Sequence, residues 1–249
     1  MARKPRNLQA GYTYHVMVRC NNRRFNLKKR SCRDVLLYAL RRAKDRFGFK
    51  LYALCIMSNH VHYLLEPAVP DDLPRIMHWL NWYTAMCFNR MLNRTGHFWE
   101  ERYHSTGFPN TDHQRVLRTL RYIHGNPKAA GMSQGFHYRY SNYRAYAGLT
   151  DDGLTEWHPA FLNLAQSLDA CARAYRRYCR QYQLQEKEDK ECAWGDDWLD
   201  HSGAWYVETP AQLPYFDQRY QVRRPQKPPD ELVSVVEIFR KATSYWSDY

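Results

Sequence analysis

The chain has 249 residues, of which 44% are hydrophobic, so it can build a folded core and is not a disordered protein. A net charge of +12 and an aromatic content of 15% favour nucleic acid as a partner, because cations displace counterions and rings stack on unpaired bases. Basic surfaces also suit anionic membranes, so charge alone leaves that alternative open.

The sequence predicts a cytoplasmic protein that does not enter a membrane. It contains no run of about 18 apolar residues, and its N-terminus lacks the apolar segment of a signal peptide. The seven cysteines are scattered without any CxxC spacing, which predicts reduced thiols and excludes a disulfide framework.

The first predicted elements are a strand, a basic loop and a helix. Side chains alternate from Gly11 to Val18, which places His15 and Met17 together on one face of a strand. Five cations follow in the loop up to Arg30, where they suit a phosphate backbone or simply a solvated loop. The spacing of apolar residues then predicts a helix that ends at Gly48.

Residues 51–67, LYALCIMSNHVHYLLEP, predict a β-hairpin with a short loop at Ser58 and Asn59. Because strand side chains alternate, His60 and His62 project from the same face. Two neighbouring imidazoles form half of a site for a divalent metal, although they equally fit a polar strand face held by hydrogen bonds.

The remaining pattern predicts a ferredoxin-like fold. It is completed by a second helix from Asp71 to Gly96, a fourth strand at 97–108 and a third helix from Asp112 to Asn126. Pro127 is expected to stop the third helix. The order β-α-β-β-α-β defines an α+β domain with an antiparallel sheet and two helices on one face, with the third helix as an addition. The histidine face would be the one that those two helices leave open.

The third helix carries a tyrosine away from its apolar stripe. At 100° per residue, Tyr122 falls beside Arg115, Arg118 and Asn126, where it is suited to meet a phosphate. An amphipathic surface tyrosine is the alternative.

The chain divides into a domain at 1–149 and a mainly helical C-terminal extension at 150–249. Rings alternate with arginines at 136–148, a pattern that suits stacking on bases or a plain surface loop. The extension contains a predicted helix from Ala160 to about Leu184, a Pro-rich linker at 223–229 and a short helix from about Glu231.

Residues 3–148 resemble the REP-associated tyrosine transposases, which are single-tyrosine members of the HUH transposases. The resemblance is carried, in order, by RKPRNLQAGYTYHVMVRCNNR, SNHVHYLLEP, RTGHFWEERY, RYIHGNPKAAG and YSNYRAYAG. It implies that His60 and His62 hold Mg²⁺, although Mn²⁺ suits imidazole ligands at least as well. It further implies that Tyr122 is the nucleophile and that Asn126, which occupies the position of a frequent glutamine, is the third metal ligand.

The resemblance also implies an enzyme that nicks and rejoins single-stranded DNA at palindromic REP-type hairpins through a 5′-phosphotyrosine intermediate. Such a protein would be cytoplasmic, nucleoid-associated when bound to DNA, and more readily a monomer than a dimer. The residues expected to contact DNA are Arg19, Arg23, Arg24, Arg102, Arg115, Arg118, Tyr138, Arg139, Tyr143 and Arg144.

The alternative is a ferredoxin-like module that binds nucleic acid without catalysis, either an RNA-binding protein or a domesticated DNA-binding descendant. An RNA-binding sheet would present aromatic residues from its central strands. Those positions hold His15, Met17, His60 and His62 instead, which favours the metal site.

Overall fold

The structure is a computed structural model that describes residues 8–100, 102–182 and Ala193. The predicted Pro-rich linker at 223–229 and the predicted helix from Glu231 lie outside the described residues.

Four antiparallel strands form the sheet, in the order β2-β3-β1-β4. They are β1 (Tyr12–Arg19), β2 (Lys50–Ile56), β3 (His60–Glu66) and β4 (His104–Pro109). The first and third strands are central neighbours, as the ferredoxin-like arrangement requires, so the predicted α+β fold is confirmed.

The fourth strand starts later than predicted. It begins at His104 and not at His97. Trp99 forms an isolated bridge with Cys20, and the rings of Phe98 and Trp99 are buried. The N–H of Glu100 donates to the carbonyl of Arg19 at 2.8 Å, so this segment borders the end of β1 without being part of β4.

Two helices cover one face of the sheet. The helices α1 (Arg30–Phe47) and α2 (Asp72–Met91) pack there over Val16, Val61 and Tyr63 in the first hydrophobic core. Gly48 ends α1 in the left-handed conformation, with φ at 67°, and its N–H donates to the carbonyl of Lys44.

The opposite face, which carries the histidines, is covered by the later helices. They are α3 (His113–Ala129), α4 (Tyr143–Ala147), α5 (Pro159–Leu162) and α6 (Leu168–Arg180). Together with the sheet they enclose a second hydrophobic core that includes Met17, Leu64, Tyr146 and Tyr175. The segment after residue 149 therefore shares a core with the ferredoxin-like sheet as far as it is described.

Three predicted helix boundaries are wrong. The helix α2 ends at Met91 and not at Gly96. The helix α3 continues past Pro127 to Ala129, because the N–H of Ala130 donates to the carbonyl of Asn126 and the N–H of Met132 to that of Pro127. The single helix predicted from Ala160 is two helices, since the hydroxyl of Ser167 accepts a hydrogen bond from the N–H of Ala170 and starts α6 anew.

No helix within the described residues is both long and apolar enough to span a membrane.

Candidate functional site: a histidine pair beside a buried tyrosine

The β2–β3 hairpin presents the two histidines on the central strand of the sheet. Its two-residue loop is closed where the N–H of Met57 donates to the carbonyl of His60 at 2.9 Å. In the register between β1 and β3, Met17 pairs with His62 and Arg19 pairs with His60. The rings of His60 and His62 stand nearly perpendicular, with centroids 4.9 Å apart. The predicted hairpin and the shared face of the two histidines are both present.

A third histidine, His15 on β1, belongs to the same cluster. Its ring is stacked on that of His62 with a centroid distance of 5.2 Å, and its Nε2 lies 3.0 Å from His62 Nδ1. On its other side, His15 Nδ1 lies 2.8 Å from the carbonyl oxygen of Ala193. The imidazole of His60 has a separate partner, because its Nδ1 lies 2.6 Å from Asn59 Oδ1.

Burial keeps all three imidazoles neutral. It lowers the pKa of His15 to about 3 and, with the nearby Arg19 guanidinium, lowers the pKa of His60 to about 3. The pKa of His62 is also well below its usual range, first because of burial and then because His60 and His15 are close. A neutral imidazole has a lone pair on one nitrogen, which is the form that binds a metal.

Tyr122 lies against this cluster from α3. Its ring packs edge-on against both His15 and His62, with each pair of centroids 6.0 Å apart. The side chain is only 1% exposed. The sequence placed Tyr122 outside the apolar stripe of α3 and therefore predicted a more exposed side chain. The reason for the burial is that α3 lies between the sheet and the C-terminal helices, which bury Thr119, Arg121 and His124 as well.

Asn126 lies one turn after Tyr122 on the same helix. It is buried, and its side-chain Nδ2 donates to the carbonyl of Tyr122 at 3.1 Å. The amide nitrogen is therefore turned back along the helix, and the side-chain oxygen is the atom with the chemistry of a metal ligand.

The donor set fits a divalent cation that accepts nitrogen ligands. Within the described part of the chain, no group of three or more His, Cys, Asp or Glu side chains has the arrangement of a metal site. The protein would therefore supply two imidazoles, with an amide oxygen, water or phosphate oxygens as the other ligands. Imidazole with oxygen ligands suits Mn²⁺ better than Mg²⁺.

The predicted DNA-contacting residues divide by exposure. Arg19 is half-buried and forms an ion pair with Glu100, while Arg115 lies over the ring of Phe108 at 4.6 Å. The hydroxyl of Tyr138 donates to the carbonyl of Ile56 at 3.1 Å. Tyr143 is buried and Arg118 is half-buried, whereas exposed positions are held by Arg23, Arg24, Arg102, Arg139 and Arg144.

The histidine face is not an open platform. The helix α3 lies over it, and Met17, Leu64 and Tyr122 belong to the core between them. A stacking surface for RNA bases on the central strands is therefore absent from this described face.

Two residues of the site were not assigned a role from the sequence. His15 was placed on this face without a role, and Asn59 was taken only as a loop residue. The strand register brings His15 to His62, and the loop brings Asn59 to His60.

The fold and the site together define a class: a ferredoxin-like domain with a buried histidine pair and a tyrosine on the helix that covers it. Residues 9–126 match the model of the family described as "Transposase IS200 like". The matched segment contains the whole sheet and most of α3. No curated protein matches the chain.

Two solved structures resemble this one. A REP-associated tyrosine transposase bound to a REP hairpin is 19% identical, with a TM-score of 0.50, over 63% of this chain and 89% of that chain. A putative transposase from Deinococcus radiodurans R1 is 23% identical, with a TM-score of 0.34, over 46% of this chain and 91% of that chain. The resemblance predicted from the sequence motifs is confirmed by the family match and the first of these structures.

Proposed function

We propose that this protein is a transposase that nicks and rejoins single-stranded DNA, with Tyr122 as its nucleophile and with a divalent metal held by His60 and His62. The observation that carries the proposal is the contact of the Tyr122 ring with the ring of His62, at a centroid distance of 6.0 Å. A phenol beside one of the two proposed metal-binding imidazoles suits a metal-assisted attack on phosphate.

The reaction is an exchange of phosphodiester bonds. The phenolic oxygen of Tyr122 attacks the scissile phosphorus, the bond from phosphorus to the 3′-oxygen breaks, and that oxygen leaves as a 3′-hydroxyl with the proton that the phenol gives up. The product is a 5′-phosphotyrosine, and attack by another 3′-hydroxyl reverses the step and joins the strands. A divalent cation would supply Lewis acidity at a phosphate oxygen.

The chain's own residues position the reacting groups. The rings of His15 and His62 hold the Tyr122 ring at the histidine face, and Asn126 is one turn away with its side-chain oxygen as the proposed third ligand. The Tyr122 side chain is 1% exposed, so a DNA phosphate reaches it only after the segments that cover this face move.

The proposed DNA partner is a hairpin with single-stranded flanks, as in the REP hairpin bound by the similar transposase. Exposed cations suit contact with its phosphates, because each neutralised phosphate releases counterions. Tyr138 is the ring we propose for base stacking, since Tyr143 is buried beside His124 and Tyr175. The cations are Arg23, Arg24, Arg102, Arg139 and Arg144.

The test is a denaturing gel after incubation of the protein with a labelled single-stranded hairpin and Mg²⁺ or Mn²⁺. A covalent protein-DNA band is expected for the wild type and is expected to be lost in Tyr122→Phe. The matched control is Tyr63→Phe, which removes the phenolic oxygen of an equally buried tyrosine on the opposite sheet face and should keep the band. Persistence of the band in Tyr122→Phe would remove this residue from the role.

A further inference from the structure

A chain of hydrogen bonds runs from His62 through His15 to the backbone. The carbonyl oxygen of Ala193 can only accept a hydrogen bond, so His15 Nδ1, which lies 2.8 Å away, must be the donor. A neutral His15 with its proton on Nδ1 has a lone pair on Nε2. His62 Nδ1, 3.0 Å from that lone pair, must therefore donate in turn.

A second chain determines the proton position on His60. The side-chain Nδ2 of Asn59 donates to the carbonyl oxygen of Arg23 at 3.3 Å, which fixes the amide with its oxygen toward His60. His60 Nδ1 lies 2.6 Å from that oxygen and must donate to it. Arg23 has a φ of 53°, so its carbonyl belongs to a left-handed loop position that few side chains adopt freely.

Both chains give the same result for the two histidines of the pair. Each has its proton on Nδ1, so Nε2 is the nitrogen with the lone pair. The opposite tautomer would present an N–H from Nε2, which repels a cation, and would leave Nδ1 without a proton to donate to its partner. Burial disfavours the doubly protonated form of both rings. The hydrogen-bond partners of the two histidines therefore decide which ring nitrogen has the proton.

We propose that His15 and Asn59 are positioning residues that hold His62 and His60 in the Nδ1–H tautomer, which makes Nε2 of each the metal-binding nitrogen. The assignment rests on the proposed function, since it concerns the same two histidines. The proposal adds His15 and Asn59 to the site. Through them the site is connected to Ala193 and to Arg23 in the basic loop. Partners of this kind orient the ring and raise the basicity of the ligand.

The direct test is nuclear magnetic resonance of the metal-free full chain with isotope-labelled histidine, in which the ring ¹⁵N and ¹³C shifts distinguish the tautomers. The wild type is expected to show His60 and His62 with the proton on Nδ1. In His15→Leu, the signal of His62 is expected to move toward the Nε2–H tautomer while that of His60 stays. In Asn59→Leu, the response is expected at His60 and not at His62.

Conservative variants test the chemistry without loss of packing. His15→Gln keeps an acceptor oxygen for His62 Nδ1 and is expected to preserve the wild-type tautomer. Asn59→Asp keeps an acceptor for His60 Nδ1 and is expected to preserve its tautomer too, although it loses the N–H that donates to the carbonyl of Arg23. The control is His158→Leu, which replaces another fully buried imidazole, one that accepts from the N–H of Ala160. It is expected to lower thermal stability and to leave both tautomers unchanged.

Calorimetric titration with Mn²⁺ gives a second readout. His15→Leu and Asn59→Leu are each expected to weaken Mn²⁺ binding by about 10- to 100-fold, and His15→Gln is expected to restore most of it. A wild type with its proton on Nε2 of either histidine, or a His15→Leu variant with wild-type tautomers, would overturn the proposal. Correct tautomers in a protein that forms no adduct with DNA would instead overturn the proposed function alone.

Discussion

The ring of Tyr122 packs edge-on against the ring of His62, with centroids 6.0 Å apart and ring planes at 87°. These residues are sixty positions apart, and α3 brings them together because it covers the sheet face that carries the histidines. Burial makes the imidazoles neutral and thus able to bind a cation. The predictions below follow from this contact and from its surroundings.

Removal of divalent metal should separate binding from cleavage. With a chelator present, we expect the covalent band to disappear while hairpin binding in a mobility-shift assay stays within about twofold, because the exposed arginines proposed to contact phosphate need no cation. His60→Ala and His62→Ala should behave in the same way with Mn²⁺ present. A band of undiminished intensity in the chelator would contradict a metal-dependent step.

The affinity for single-stranded DNA should fall steeply with salt. If about six phosphates are contacted, the slope of log K against log salt is about −4, and Arg23→Ala with Arg24→Ala should reduce its magnitude by about 1.4. Fluorescence anisotropy at several salt concentrations measures it. Arg46→Ala serves as the control, since this exposed arginine lies at the far end of α1 from the basic loop; an equal loss of slope there would refute a localised contact.

Stability should fall as the pH is lowered from 6.5 toward 4, in part because of His124. This histidine is fully buried between Tyr175 and Asn142, and burial lowers its pKa to about 4. The unfolded chain takes up the proton near pH 6.5, so the stability that His124 contributes is complete above that pH and is lost by about 1.4 kcal/mol per unit below it.

Urea denaturation at pH 6, 5.5 and 5, between the pKa values of His124 in the unfolded and folded chain, measures this dependence. His124→Gln should reduce the slope of the free energy of unfolding against pH by about 1.4 kcal/mol per unit within that window. An unchanged slope in the variant would show that His124 is not the group responsible.

Gly107→Ala should destabilise the sheet on the face opposite the histidines. A Cβ at this position of β4 would lie 2.5 Å from Cε1 of Tyr14, whose hydroxyl is held by the backbone of Gln9. The expected loss is about 1–3 kcal/mol in the free energy of unfolding. Gly135→Ala is the matched control because a Cβ there has no atom within 4 Å, and a similar loss in both variants would argue against the steric cause.

Much of the fold could be predicted from the sequence because its signals are local. The alternation in residues 51–67 predicts the hairpin and the common face of His60 and His62, and both are found. The contact of His15 with His62 was not predictable, since a helix and a strand separate β1 from β3 and leave their register open. The burial of Tyr122 depends on α5 and α6, which no pattern in α3 reveals.

The end of α3 illustrates the same limit. A proline usually disfavours helical geometry in the residue before it, so the sequence predicted an end at Asn126. The helix continues to Ala129 because the missing N–H of Pro127 costs a single hydrogen bond near the end of the helix, and the following residues complete the turn. Whether the helix ends at Asn126 or continues therefore depends on hydrogen bonds made by the residues after Pro127, and not on the sequence of the helix alone.

Peptide mass spectrometry of the trapped protein-DNA adduct tests the central claim most directly. After nuclease and trypsin digestion, the nucleotide mass should be on the peptide YIHGNPK, residues 122–128, with fragmentation that places it on Tyr122. Nucleotide attached to any other tyrosine, or an adduct that forms equally in Tyr122→Phe, would contradict the account.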